Sequence, residues 1–319
     1  MATSFRLAIA VVLLVAVAWY LYEHRDDIFI VSALSLQVIL LAVTARAIAF
    51  IAAVQANFAV IRLFTPVLGK LEFLVLSSGG LLLGHLAPPG STYAAKSIYL
   101  KRRHNLGHQQ FLAVSLVVGF LALATSGAIA LLALGIIWAA SSEFPALSWV
   151  AALTMLIPTA IFLRFPHTFS ALLGRVKKLG GLARTWNHLR SARGSIWHAS
   201  IFLLGRALAS FVGFGVLFMA LTGGSDWFLR GGVVDALSAV LRLVRLSPGN
   251  LGIYEWMVAG FGHDMGAALS TGLVAAASYR LAGMVGVALV ALIALGLQNI
   301  QQRSDHRSLH NRLHKKNES

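Results

Sequence analysis

The chain contains no cysteine, which excludes disulfides, thiolate metal sites, iron–sulfur clusters and redox dithiols. It is poor in acid as well: eleven Asp and Glu serve 319 residues, and charged residues of both signs reach only 12%. That is about half the share of an ordinary soluble chain. Hydrophobic residues make up 58%, and a soluble fold of this size lacks the polar side chains to cover them. No Ser/His/Asp grouping, glycine-rich phosphate loop or paired-carboxylate spacing is legible among the scattered acids. No catalytic residues, metal or cofactor are therefore expected, and the chain does not read as an enzyme.

What is present is a series of long apolar runs, at 5–22, 28–52, 109–138, 146–163, 196–222 and 269–297. Each is long enough to cross a hydrocarbon core of roughly 30 Å. The expected fold is an all-α polytopic membrane protein with six full spans. The first run is followed by Glu23, His24, Arg25, Asp26 and Asp27, with no small-residue cleavage site. It reads as a retained span, not a signal peptide. The net charge of +15 would point to nucleic acid in a soluble protein. Here the positive residues sit in short loops and the tail, as the positive-inside rule requires, so no nucleic-acid partner is expected. Lys101, Arg102 and Arg103, the stretch 164–193, and the tail after Gln302 mark the cytoplasmic side; the linkers 23–27 and 141–145 carry acids and belong outside. Both termini then fall in the cytoplasm.

Two stretches do not fit as simple crossings. The segment 71–95 must return to the side it left, and it is interrupted by Pro88, Pro89 and Gly90. The segment 231–262 is interrupted by Pro248 and Gly249, with Gly252 just beyond. Proline removes a backbone donor and glycine weakens a helix, and in lipid a broken helix is tolerated only against protein or a cavity. Two re-entrant helical hairpins, one from each face, are expected. The order of two spans, a hairpin and one span then repeats with opposite orientation. Arg46-Ala47-Ile48-Ala49 resembles Arg206-Ala207-Leu208-Ala209, and 42 residues separate Arg46 from Pro88 and Arg206 from Pro248 alike. An inverted-topology repeat is expected, with two unrelated halves matched by chance as the alternative; its membrane units are 1–140 and 141–300 (the second including the basic loop 164–195), with a tail at 301–319. Such repeats with discontinuous helices are common in secondary transporters.

Arg206 and Arg280 lie well inside spans and are expected to face the bundle interior, either at a functional site or as a lock between helices. Arg46 falls nearer the cytoplasmic end of the run 28–52 and is free to snorkel. Glu255 follows the second break with no charged neighbour in sequence, while Arg242 and Arg245 stand on the preceding limb. A buried carboxylate needs a partner, and Arg280 is the first choice. His85, beside the first break, reads as a proton carrier or a satisfied interior histidine. The stretch 175–193 places Val176, Leu179, Leu182, Trp186 and Leu189 on one helical face, for an amphipathic helix on an anionic inner leaflet or a solvated loop. His306, His310 and His314 repeat at helical spacing, but no further ligand completes a metal set, and the tail is expected to be disordered.

The run Pro248-Gly249-Asn250-Leu251-Gly252-Ile253-Tyr254-Glu255, then Gly266 and Tyr279-Arg280, resembles the C-terminal signature of the lysylphosphatidylglycerol synthase transmembrane family. Leu86-Ala87-Pro88-Pro89-Gly90 followed by Lys96 is similar to that family's N-terminal segment, with Lys96 where an arginine is usual. The resemblance implies a flippase-like domain of a prokaryotic cytoplasmic membrane that moves or exposes a lipid. Ser91 and Thr92 stand where the family often carries an acid, and Gly119 to Leu123 where it often carries an arginine followed by an aspartate. No aminoacyl-transferase domain follows, so synthesis of lysylphosphatidylglycerol is not expected. The leading functional expectation is a lipid translocator for a phospholipid or lipid-linked phosphate, with Arg206, Arg242, Arg245, Glu255, Arg280 and Lys96 at the substrate. A scaffold recruiting a cytosolic lipid-modifying enzyme, a membrane enzyme acting on a lipid phosphate, and homo-oligomerisation are the alternatives.

Overall fold

Runs of apolar residues without a helix breaker, separated by short polar turns, fold as helices because the backbone groups then satisfy one another. The computed structural model describes residues 34–84, 90–164, 185–186, 188–189, 191–242 and 250–317; for 162–164, 242 and 302–317 it describes the backbone alone. Nine α-helices are described: α1 (Leu36–Ile61), α2 (Lys70–Gly84), α3 (Ser91–His104), α4 (His108–Ser141), α5 (Ala146–Arg164), α6 (Arg193–Thr222), α7 (Trp227–Ser238), α8 (Ile253–Asp264) and α9 (Leu269–Asn317). A 3₁₀ turn, Ala239–Arg242, extends α7, and there is no strand among the described residues. Four helices are long and apolar enough to cross a membrane: α1, α4, α6 and the portion Leu269–Gln301 of α9. Their outward faces carry exposed Leu40, Ile48, Leu132, Leu204, Leu289 and Leu292, an apolar belt that water would not tolerate.

Several expectations from sequence are corrected. The second run does not end near residue 52: α1 begins at Leu36 and continues to Ile61, because nothing between Ala52 and Ile61 breaks a helix. Arg46 thus lies about three turns inside α1, too deep to snorkel from the end of the span. The run 146–163 is helical as expected, in α5 from Ala146 to Arg164. The tail is a continuation of α9 to Asn317. No glycine or proline follows Gly296, so propagation continues without a new nucleation cost. Trp186 and Leu189 are buried in the bundle, Trp186 edge-on to Phe120, so these two do not face a lipid surface. The run 5–22, His85, Val176, Leu179 and Leu182 lie outside the described residues.

Packing is dominated by α1 against α6, where a Cβ on Gly213 would stand 2.5 Å from that of Ala45. The glycines of α7 serve the same end. Cβ atoms on Gly231 and Gly232 would stand 2.4 Å from the Phe218 Cβ and the Phe211 ring, so α7 lies directly on α6. Small residues are what allow helices to approach this closely. Among the described residues two apolar cores result. One gathers α4, α6, α7, α8 and α9 around Phe214, Phe218 and Tyr279; the other gathers α1, α4 and the start of α6 around Phe58, Phe73 and Leu203.

The limbs α2 and α3 run antiparallel, and Glu72 ties their far ends together. Its Oε1 accepts from the Tyr99 hydroxyl at 2.5 Å, and Nε2 of His104 and Nε of Arg103 lie at 2.9 and 3.1 Å. The limbs α7 and α8 are tied at the opposite end of the bundle. Arg230 donates to the Met265 carbonyl at 2.6 Å and pairs with Glu143 at 2.8 Å, while Asp264 accepts from the Ser148 amide and hydroxyl at the start of α5.

Desolvation favours the neutral form of Glu72, but the hydrogen bonds from Tyr99 and His104 and the charges of His104 and Arg103 outweigh it, holding the carboxyl below its ordinary 4.5. A depressed carboxyl contributes stability that is complete above its unfolded value and is lost as pH falls through the folded one. Glu72→Gln should cost about 1–2 kcal/mol near neutral pH. Thermal unfolding of the purified protein from pH 7 to pH 3 checks this: the gap between wild type and variant should close below pH 4.5, and a gap that persists there would assign the stabilisation to another group.

Candidate functional site

Between the two apolar cores lies a polar layer. It begins with Arg46 on α1 and Arg206 on α6, the latter only 8% exposed. Two guanidinium groups inside a bundle are costly unless an opposite charge stands nearby. Asp235 on α7 supplies it: this carboxylate is 2% exposed, and its charge acts on Arg46 and on Arg206. Asp235 comes within reach because Gly231 and Gly232, one turn earlier, let α7 rest on α6. Arg46 is also stacked 4.8 Å above the ring of Tyr279, whose hydroxyl donates to the Ser210 carbonyl at 2.9 Å. The guanidinium lies across Gly283, where a Cβ would stand 2.8 Å from its Nε.

A cavity of about 320 Å³ opens from this layer toward α2 and α3. Helical spacing aims one stripe of each helix into it: Arg46, Phe50, Ala53 and Asn57 from α1; Phe73 and Ser77 from α2; Thr92, Tyr93 and Lys96 from α3; Ser115, Gly119 and Ala122 from α4; Arg206 and Ser210 from α6. No carboxylate among the described residues lines it. Lys96 reaches the cavity along α2 because Gly80 leaves room, a Cβ there standing 2.8 Å from Cε of the lysine. Tyr93 is 41% exposed, so the cavity meets the protein surface beside α3. The Ser210 hydroxyl is fully buried and finds no hydrogen-bond partner among the described residues.

Glu255 and Arg280 form a separate pair. Their Oε1 and Nε atoms lie 2.8 Å apart, and Glu255 is 5% exposed. The other carboxylate oxygen accepts from the Gly252 amide at 2.8 Å, capping the first turn of α8. Arg280 donates to the Asn250 carbonyl at 3.3 Å and lies 5.2 Å over the ring of Tyr254. Asn250 adopts a left-handed φ of 54° and its side chain donates to the Leu241 carbonyl at 2.6 Å. The pair therefore fastens the break between α7 and α8 to α9, and neither residue lines the cavity.

Of the residues singled out from sequence, Arg206 and Lys96 meet at the cavity, and Glu255 and Arg280 meet each other. Gly90 and Gly252 precede α3 and α8 with φ of 87° and 79°, values that glycine adopts without strain. Arg242 closes the 3₁₀ turn, with only its backbone described, and Pro88, Pro89, Arg245, Pro248 and Gly249 lie outside the described residues. Sequence reasoning missed Asp235, although an acid within Val233-Val234-Asp235-Ala236-Leu237 carries the same signal that marked Arg206. Comparison with family models, with curated proteins and with solved structures found no match.

Removing one member of a buried pair strands the other. Arg280→Ala should cost about 3–5 kcal/mol. Glu255→Gln should cost about 1–2 kcal/mol, since the amide oxygen still accepts from the Gly252 N–H. Thermal unfolding in detergent measures both, and equal losses would show that the charge of Glu255, not the orphaning of its partner, sets the stability.

Proposed function

We infer that the protein is an integral membrane lipid translocator, flippase- or scramblase-like, whose cavity at Arg46, Lys96 and Arg206 receives the anionic head of a phospholipid or lipid-linked phosphate. The observation that carries this reading is a cationic cavity set between two apolar cores and open at the surface beside Tyr93. Arginine binds phosphate strongly and in bidentate fashion, and a head group so held trades hydration for fixed donors while its chains stay against the apolar outer faces. The resemblance to the lysylphosphatidylglycerol synthase transmembrane family points the same way, and in this reading the chain is one of its flippase-like members in a prokaryotic inner membrane.

The architecture that goes with this function has six spans, two re-entrant hairpins and an inverted repeat. The packing of the helices supports it. Exchanging α1 with α6, α2 with α7, α3 with α8 and α4 with α9 turns each helix contact among these eight into another that is present. Thus α2 on α9 exchanges with α7 on α4, α1 on α9 with α6 on α4, and α1 on α6 with itself. The ties at Glu72 and Arg230 close the two hairpins at opposite ends.

Reconstitution in liposomes tests the function. A fluorescent anionic phospholipid should move between leaflets, and Arg46→Gln or Arg206→Gln should slow it by about tenfold or more, the loss of one charge-assisted contact. Lys101→Gln, on the exposed face of α3, should move lipid as wild type does. A chemically altered lipid, or no movement, would overturn the reading.

Topology is tested separately in this cysteine-free chain. A cysteine placed at Ser225 should label with an impermeant reagent from outside intact cells, and one placed at Ser191 should label only after permeabilisation. The reverse pattern, or labelling of both from outside, would rule out cytoplasmic termini with an inverted repeat.

A further inference from the structure

The geometry points to a polyhydroxylated head group, a sugar or cyclic polyol joined to phosphate, as the group this cavity takes. The inference rests on the translocator reading for the phosphate and for the lipid that carries it; what it adds is the chemistry beyond the phosphate.

The hydrogen-bonding groups away from the arginines make the argument. On α1 the stripe that lines the cavity runs from Arg46 to Asn57, about 16 Å along the helix axis. Asn57 donates one N–H to the Ala53 carbonyl at 2.9 Å, which leaves its side-chain oxygen and a second N–H. On α4 the Ser115 hydroxyl spends its only proton on the Phe111 carbonyl at 2.9 Å, so its oxygen can only accept. Two helices thus bring neutral acceptors to the lining, and Asn57 adds a donor beside its acceptor.

A ligand is then selected by what these groups can bond. An apolar chain would leave them unmet, and a bare phosphate, rich in acceptors, has nothing to give the two oxygens. An ammonium donates but accepts nothing, and a trimethylammonium does neither. A hydroxyl donates and accepts at once, and two adjacent hydroxyls on a ring match the oxygen and N–H of one amide. Phe50, Phe73 and Phe111 supply apolar walls for the C–H faces of such a ring, the mixture of mostly apolar surface and few polar groups usual in ligand sites. A short head group held by its phosphate at Arg46 stays near the arginines, whereas a six-membered ring carries hydroxyls further toward Asn57. A space of about 320 Å³ accommodates a head group of this kind and not a whole lipid.

The test is binding to the full chain in a neutral detergent, read by titration calorimetry. Dihexanoyl phosphatidylinositol and dihexanoyl phosphatidylglucoside are compared with dihexanoyl phosphatidylmethanol. All three are diesters of equal charge, so the charge of the cavity drops out of the comparison and the hydroxyls remain. At least one polyol lipid should bind about tenfold tighter than the phosphatidylmethanol, the order of one or two neutral hydrogen bonds. Asn57→Leu keeps the bulk of the side chain and removes the amide, and the preference should fall by about threefold or more. Ser115→Ala is the gentler change; it should lower the preference too, and it decides where the leucine variant fails to fold.

Phosphatidylmethanol binding as tightly as both polyol lipids overturns the proposal, and so does dihexanoyl phosphatidylethanolamine binding tightest of all. A preference unchanged by both substitutions in folded protein overturns it as well. Inositol 1-phosphate binding as tightly as the phosphatidylinositol would keep the hydroxyl site and overturn a lipid as its source. Polyol preference without lipid movement in liposomes leaves the site standing and removes the translocator reading; movement without the preference does the reverse.

Discussion

Charge compensation between Asp235 and the two arginines Arg46 and Arg206 is the constraint on which the rest of the bundle depends. Three ionised groups inside apolar helices would each be prohibitive alone, so they must lie within each other's fields. That requires α1, α6, α7 and α9 to approach closely, and the chain places glycine at the points of approach. Gly213 admits Ala45, Gly231 and Gly232 admit the rings of α6, and Gly283 admits the Arg46 guanidinium itself. Electrostatics here dictates small residues, the small residues dictate helix spacing, and the spacing leaves α2 and α3 standing away from the arginines across a cavity.

In the proposed inverted repeat the two halves share one register yet differ in what fills it. Arg46 and Arg206 are 160 residues apart, as are Pro88 and Pro248. At the same offset Tyr279 corresponds to Gly119, Arg280 to Phe120 and Glu255 to Ala95. Gly119 lines the cavity, whereas Tyr279 is fully buried in the core beneath Arg46 and Arg280 is locked to Glu255. A tyrosine in one half and a glycine in the other differ by a whole aromatic side chain. The difference puts an aromatic core side chain in α9 where α4 carries a glycine at the cavity wall. The residues that resemble a known signature, around 250–255 and 279–280, are thus those that close the second half.

Much of this was legible in the sequence, for identifiable reasons. Apolar runs without breakers located α4, α6 and the membrane portion of α9 within a few residues, since helix ends in such runs are marked by Gly107, Ser142 and Gly223. The Glu255–Arg280 contact was legible because a lone acid after a helix break needs a cation, and one arginine lay at matching depth. The extent of α1 was not, because polar Gln55 and Asn57 interrupt the apolar run beyond residue 52, yet both sit part-buried within the helix, Asn57 at the cavity. That shift of the boundary also hid the depth of Arg46. Asp235 escaped notice because its partners are on α1 and α6, far away in sequence, and only the packing of Gly231 and Gly232 brings them near. Likewise the burial of Trp186 is a fact of bundle shape that no amphipathic pattern states.

The two hairpins also differ in what holds them, and this bears on which can yield. The break between α7 and α8 is fixed by an ion pair with both members close to fully buried, a cap on Gly252 and a side-chain bond from Asn250. Opening it exposes charges that have no replacement in an apolar bundle. The limbs α2 and α3 meet through Glu72, whose partner Arg103 is largely exposed, so water can substitute for part of that tie at modest cost. Local opening free energy follows such differences in burial. Under the proposed function, a head group approaching past Tyr93 meets the hairpin with the weaker tie.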